Sequence, residues 1–100
     1  MGGRAQAEGH LEIARVFGGN LVRARRAAGL SQEALAFESA LHRTEIGMLE
    51  RGIRIPRIDT ALKLARTVGV TLDELVEGLE WRATVRTGGW IAAGDKGARI

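Results

Sequence analysis

The sequence predicts an all-α fold of five short helices, followed by a C-terminal tail with the pattern of a short β-hairpin. Three observations predict it. Apolar residues recur at spacings of three and four in five successive stretches between Leu11 and Gly78. Residues that start helices (Ser31, His42, Thr71) or stop them (Gly29, Gly52, Gly69, Gly78) stand at the edges of those stretches. The single proline, Pro56, falls in a gap between two stretches, where it bars helix without breaking one.

Residues 1–10 are Gly- and Ala-rich without periodicity and are expected to be a mobile tail. The first helix is expected from about Leu11 to Ala28, with Leu11, Ala14, Phe17, Leu21, Ala24 and Ala28 on one face. Gly18 and Gly19 weaken its middle by ~1 kcal/mol each, and Gly29 ends it. Ser31 caps the second helix, which runs to about Ser39, with Leu30 and Leu35 placed as a hydrophobic staple. The turn is Ala40-Leu41. His42 caps the third helix, about Arg43 to Arg51, with Leu41 and Ile46 as its staple. The loop Ile53-Arg54-Ile55-Pro56 follows. The fourth helix spans about Ile58 to Val68 with Ile58, Ala61, Leu62, Leu64, Ala65 and Val68 apolar, and Gly69 stops it. The fifth opens on the capping box Thr71-Leu72-Asp73-Glu74, with Val70 and Leu75 as staple, and closes at Gly78. Beyond it, Trp81–Arg86 and Trp90–Ala92 are strand candidates around the turn signal Thr87-Gly88-Gly89. The expected organisation is a tail over 1–10, a domain over 11–78 and a second tail over 79–100.

The second and third helices carry the chemistry. They are short, separated by a brief turn, and each buries two apolar positions: Leu35 and Ala36, then Ile46 and Leu49. The third turns Arg43, Thr44, Glu45 and Met48 outward, side chains that reach base edges or methyls in a DNA groove. That layout is a helix-turn-helix. Charge agrees in its distribution more than in its total of +3. Between Arg23 and Arg57 lie seven arginines and four acids, whereas the stretch from Asp59 to Glu80 is acidic, a polarity that suggests one basic face, the alternative being a solvated surface in a protein that prefers Arg to Lys.

Other classes are argued against. One hundred residues suit one small domain. The chain has no Cys, which excludes disulfides, thiolate zinc sites and thiol catalysis. His10 and His42 stand alone and make no metal site. No apolar run approaches the ~18 residues of a membrane span, and the start is not a signal peptide. No nucleophile–base pair or phosphate loop is present, so the chain is expected to be a cytoplasmic non-enzyme without cofactor.

Residues 17–78 resemble the lambda-repressor-like (Cro/C1-type) helix-turn-helix domain of the XRE family. The resemblance rests on Leu21, Arg25, Gly29-Leu30-Ser31-Gln32, Leu35-Ala36, Ile46, Glu50-Arg51-Gly52, Pro56, Leu62, Ala65 and Val70-Thr71-Leu72-Asp73-Glu74-Leu75, in that order and spacing. It implies a compact five-helix bundle whose third helix enters the major groove while the second packs across the DNA. It also implies an ion pair between Arg25 and Glu50 that ties the first helix to the third. Gln32 would be a phosphate clamp that steadies the recognition helix, the alternative being an ordinary exposed helix residue. The chain departs from the family pattern at His42 and Arg57, where N-caps are usually Ser or Thr, and at Gly47, where a polar residue is commoner.

Arg43 is the leading base reader, since Arg pairs bidentately with guanine O6 and N7; the bland alternative is a phosphate contact. Thr44 meets a thymine methyl or a phosphate. Glu45 accepts from cytosine N4 or simply favours the helix dipole. Met48 packs on thymine methyls or turns inward as core. Gly47 brings backbone close to DNA or is merely tolerated. Arg54 and Arg57 flank Pro56 at the start of the fourth helix and are phosphate candidates, the alternative being a solvated loop; His42 and, more weakly, Arg51 are further phosphate candidates. The expected function is a sequence-specific transcriptional regulator, a dimeric repressor bound to double-stranded DNA. The alternative is an antitoxin-like or adaptor module whose residues 80–100 bind a protein partner. Trp81 is expected to seal the core against the first and fifth helices, and residues 82–92 to form a hairpin that docks on the body or pairs across a dimer, the alternative being a disordered tail.

Overall fold

The computed structural model describes residues 3–82 and 89–93. Five helices and one hairpin follow in order: α1 (Gly3–Ala27), α2 (Gln32–Ser39), α3 (Arg43–Glu50), α4 (Ile58–Val68), α5 (Leu72–Leu75), β1 (Leu79–Arg82) and β2 (Trp90–Ala93). Phe17 and Leu21 of α1 sink into a core completed by Leu35, Ile46, Leu49, Leu64 and Leu75 from the other four helices. Every helix thus gives at least one fully buried aliphatic or aromatic side chain to one cluster, each worth roughly 1.5–3 kcal/mol of transfer free energy.

Four helices end in the same way. After α1, Leu30 N–H donates to Arg25 O and Gly29 N–H to Arg26 O, and the same pair of bonds recurs around Ala40, Gly52 and Gly69. This is the Schellman motif, whose pivot residue is left-handed. Glycine fills it at 29, 52 and 69, but in the turn between α2 and α3 it is Ala40, at φ 57°. A Cβ there costs ~1 kcal/mol relative to glycine. The sharp turn sets α2 across α3 so that Leu35 and Ile46 meet in the core.

Several expectations are corrected. Residues 3–10 are helical and continue α1, instead of forming a tail. Ala5 and Ala7 are strong helix formers, and extending a helix already nucleated by packed residues costs little. Leu11, expected on the apolar face of the first helix, is 59% exposed. Ala28 lies beyond the end of α1 and is exposed. On α4 the buried stripe is Thr60, Ala61, Leu64, Ala65 and Val68, and Ile58 and Leu62 stand on its flank, mostly exposed. The fifth helix is a single turn. Its capping box is complete, with Glu74 N–H donating to Thr71 Oγ1 and Thr71 N–H to Glu74 Oε2, but turns follow Leu75 and β1 begins at Leu79.

Asn20 explains how so short an element is held. It is buried on α1, and its Nδ2 donates to Leu75 O and Glu77 O, both at 2.9 Å. Leu75 is the last residue of α5 and Glu77 lies in the turn just after it, so no further turn of helix follows to receive these carbonyls. Arg23 donates to Asn20 Oδ1, which fixes the orientation of the amide.

The hairpin is antiparallel, with Leu79 opposite Ala93 and Trp81 opposite Ile91. It therefore starts earlier than the expected 82–92, and β2 lies along α1. Two strands alone are marginal in water, so this seat against α1 supports them. Trp81 does not seal the core. It is 62% exposed, because β2 and not β1 takes the place beside α1. The linking residues 83–88 and the end 94–100, on which most of the partner-binding expectation falls, lie outside the described residues.

Candidate nucleic-acid interface

The interface is built around α3. His42 caps it by accepting the Thr44 N–H on Nδ1 at 3.0 Å, which requires the neutral ring with its proton on Nε2. Ser31 caps α2 in the same manner through Ala34 N–H. Glu50, at the last turn of α3, is the hub that fixes the helix to its neighbours. Arg25 Nε and Nη2 from α1 donate to Glu50 Oε2 and Oε1 at 2.6 and 3.1 Å, a bidentate fork. Gln32 Nε2 from α2 donates to Glu50 Oε1 at 2.8 Å, and Arg25 Nη1 reaches Leu30 O at 2.9 Å. The two charged side chains are only 11% and 5% exposed. One carboxylate therefore joins three helices, and charge-assisted forks of this kind fix orientation as well as energy. Gln32 is thereby placed at the start of α2 with its amide N–H turned inward.

Backbone contact completes the mounting of α3. A Cβ on Gly18 would lie 2.4 Å from Leu49 O and 2.9 Å from Glu50 O. A Cβ on Gly52, at φ 72°, would lie 3.1 Å from the Arg15 Cα. The end of α3 rests directly on α1, and only glycine permits it. Sequence reasoning saw Gly18 as a weak point in a helix and missed the contact, although a glycine inside a helical pattern can itself mark close packing.

With Ile46 and Leu49 inward, Thr44, Gly47, Met48 and Arg51 fall on the outward side of α3, and Arg43 stands at its first turn. Arg43 is 63% exposed, and its Nε is 3.9 Å from Glu33 Oε1, a loose surface pair worth ~0–1 kcal/mol. Thr44 and Arg51 are exposed, and Glu45 and Met48 half-buried. Met48 thus lies neither in the core cluster nor fully in solvent. Phe37 is 87% exposed on the outer side of α2, a feature the sequence reading did not single out.

Arg54 and Arg57 are exposed in and after the loop that follows α3. Arg57 takes the N-cap position of α4 without a side-chain cap bond, and its Nε donates to Asp59 Oδ1 at 3.2 Å. The Thr60 backbone N–H, and next the Arg57 guanidinium, hold the Asp59 carboxyl below its ordinary value. A lowered carboxyl pKa favours the fold above that range, a contribution lost as pH falls through the folded value. The Asp59 carboxylate also offsets the cation at this helix start. The candidate interface is thus a ridge of polar and apolar tips on α3, with His42 at one end and Arg51 at the other, and the exposed Arg54 and Arg57 follow in the chain beyond it. Among the described residues no group of His, Asp or Glu is placed to hold a metal ion, and no helix is long and apolar enough to cross a membrane.

Comparison with known proteins agrees with this geometry. The family model described as helix-turn-helix matches residues 21–75, the span from the core of α1 to the end of α5. The chain is 36% identical over 66 residues to the HTH-type transcriptional regulator y4dJ of Sinorhizobium fredii, covering 66% of this chain and 86% of that protein. It is 42% identical over 50 residues to the control protein C.BamHI of Bacillus amyloliquefaciens, covering 50% of this chain and 62% of that protein. Among solved structures, the restriction-modification controller protein C.AhdI of Aeromonas hydrophila superimposes with a TM-score of 0.60 at 44% identity, over 62% of this chain and 94% of that one. With over half its length inside the family model and that fold reproduced around α2 and α3, this chain belongs to the helix-turn-helix family of transcriptional regulators.

Proposed function

We propose that the chain binds double-stranded DNA sequence-specifically and acts as a dimeric repressor, with α3 in the major groove. The observation that carries this is the mounting of α3. A short helix is gripped by Glu50 from two sides and seated on Gly18, while the opposite side is left outward and bears Arg43, Thr44 and Met48. Reading bases needs a rigidly placed helix with a free face, and that is what the packing provides. Similarity to control proteins of restriction-modification systems supports a regulatory role in gene expression. The aligned side chains are donors and apolar tips, not a nucleophile with its base, which supports binding over catalysis. A DNA partner implies the cytoplasm.

In this reading phosphates are held by Gln32, His42, Arg51, Arg54 and Arg57, and sequence is chosen by Arg43, Thr44, Glu45 and Met48. Dimerisation follows from how little one eight-residue helix can read. Two half-sites about one turn apart, roughly 34 Å centre to centre, would supply the remaining specificity. Arg43→Ala is expected to cost ~1–3 kcal/mol at one base position, whereas Arg57→Ala weakens all sequences alike and lowers the salt slope by about 1. Titrations of both variants on cognate and scrambled duplexes at several salt concentrations check this. Equal loss on both DNAs for both variants would refute the division of labour.

A further inference from the structure

We propose that Arg51 reads a base edge, and that Gly47 is the residue that lets it do so. The inference rests on α3 being the recognition helix, and it moves Arg51 from the phosphate-binding set to the sequence-reading one.

Two observations carry it. Gly47 lies on the outward side of α3 beside Thr44, Met48 and Arg51, yet it is buried. The cover is Arg51. Around the point where a Cβ of residue 47 would sit, the nearest groups apart from its chain neighbours and the helix's own backbone are Arg51 Nη1 at 3.2 Å and Arg51 Cζ at 3.9 Å. The guanidinium has folded back along the helix and lies on the gap left by the missing side chain.

Direction and reach then decide what Arg51 can touch. Its backbone keeps right-handed helical angles (φ −81°, ψ −1°), and side chains on a helix slant toward the N-terminus. Arg51 is seven residues, nearly two turns, from Thr44 and so stands in line with it. Four residues back along the axis is about 6 Å, which brings the fork over Gly47 and toward Thr44. In helix-turn-helix docking the N-terminal residues of the recognition helix meet the bases. A side chain aimed outward from the end of α3 would meet the phosphate backbone, whereas one folded back lies over the groove floor. Among the described residues no carboxylate holds Arg51 in an ion pair. Its planar fork is thus available for guanine O6 and N7. A Cβ at 47 would stand 3.2 Å from Arg51 Nη1, the end of a flexible side chain, so Gly47→Ala obliges the guanidinium to shift by a few tenths of an ångström and leaves the backbone in place.

The test measures site preference for the wild type, Arg51→Ala, Arg51→Lys, Gly47→Ala and the Gly47→Ala/Arg51→Ala double variant, on the selected site and all its single-base-pair changes, with helix content checked by circular dichroism. Arg51→Ala and Arg51→Lys are expected to reduce discrimination at one base pair, different from the one read by Arg43, by roughly 10- to 100-fold. Gly47→Ala should relax the same base pair although Arg51 is still present, and the double variant should lose no more than Arg51→Ala alone. Uniform weakening on all sequences by Arg51→Ala, with a salt slope lower by about 1, would make Arg51 a phosphate contact and overturn the inference while leaving α3 as the reader. Absence of any preference in the wild type would overturn the reading of α3 itself, and this inference with it.

Discussion

Gly18→Ala is expected to destabilise the protein by about 3 kcal/mol or more, at or beyond the upper end of overpacking costs, although alanine is the better helix former by ~1 kcal/mol. The added methyl would stand 2.4 Å from Leu49 O and 2.9 Å from Glu50 O. Both are backbone atoms at the end of α3, so relief requires α3 to move away from α1. That shift would also strain the Arg25–Glu50 fork, which spans the same two helices. The neighbouring residue supplies the control. A Cβ on Gly19 would meet only Arg23 Nη1, at 3.7 Å, so Gly19→Ala is expected to stabilise by up to ~1 kcal/mol. Urea unfolding of the two variants should therefore shift the midpoint in opposite directions. Shifts of the same sign would mean that α1 and α3 do not touch at Gly18.

Glu50→Ala is expected to cost about 3–5 kcal/mol, the usual result of removing one partner of a buried pair. The loss is larger than one ion pair suggests, because Arg25 is left 11% exposed without its counter-charge and Gln32 loses its acceptor as well. Arg25→Met combined with Glu50→Leu should be far less harmful than the sum of the single changes, since neither then strands a buried charge. A double-mutant cycle by chemical denaturation reads this directly. A coupling of at least ~1 kcal/mol is expected for groups in one network; additive losses would show that the fork contributes orientation only. Glu50 variants that remain folded should also bind DNA more weakly, because α3 loses its ties to both neighbouring helices.

The boundaries of α2, α3 and α4 were legible because each is written twice, once in apolar spacing and once in its end residues. Ser31, His42 and Thr71 cap the helices that follow them, and Gly29, Gly52 and Gly69 turn the chain at the ends of α1, α3 and α4. Periodicity tells which face is apolar, but not how closely two faces approach. Gly18 therefore reads as a weak point, and Gly52 only as a helix stop, until α3 is seen resting on α1. The same limit hid Asn20, a polar residue in a helical stretch whose partners lie 55 and 57 residues away. Ile58 and Leu62 fit a helical pattern, yet the core is too small to cover the whole width of α4. Trp81 was misplaced because residue type alone does not tell which strand of a hairpin faces the body. At the interface, the outward position of Thr44 followed from the positions of Ile46 and Leu49. The Arg25–Glu50 tie did not follow from charge pattern and rested on family resemblance. The folding of Arg51 over Gly47 was beyond reach, since spacing does not reveal a side-chain direction.

The central claim is that the outward side of α3 chooses a DNA sequence. Selection of bound duplexes from a random pool, with the mass of the complex measured on the selected site, tests it most directly. The predicted result is a consensus of two symmetry-related half-sites about one helical turn apart, bound by two chains, in which Arg43→Ala relaxes one position per half-site. A pool that stays random after selection, or a consensus indifferent to substitutions at Arg43, Thr44 and Met48, would contradict the account.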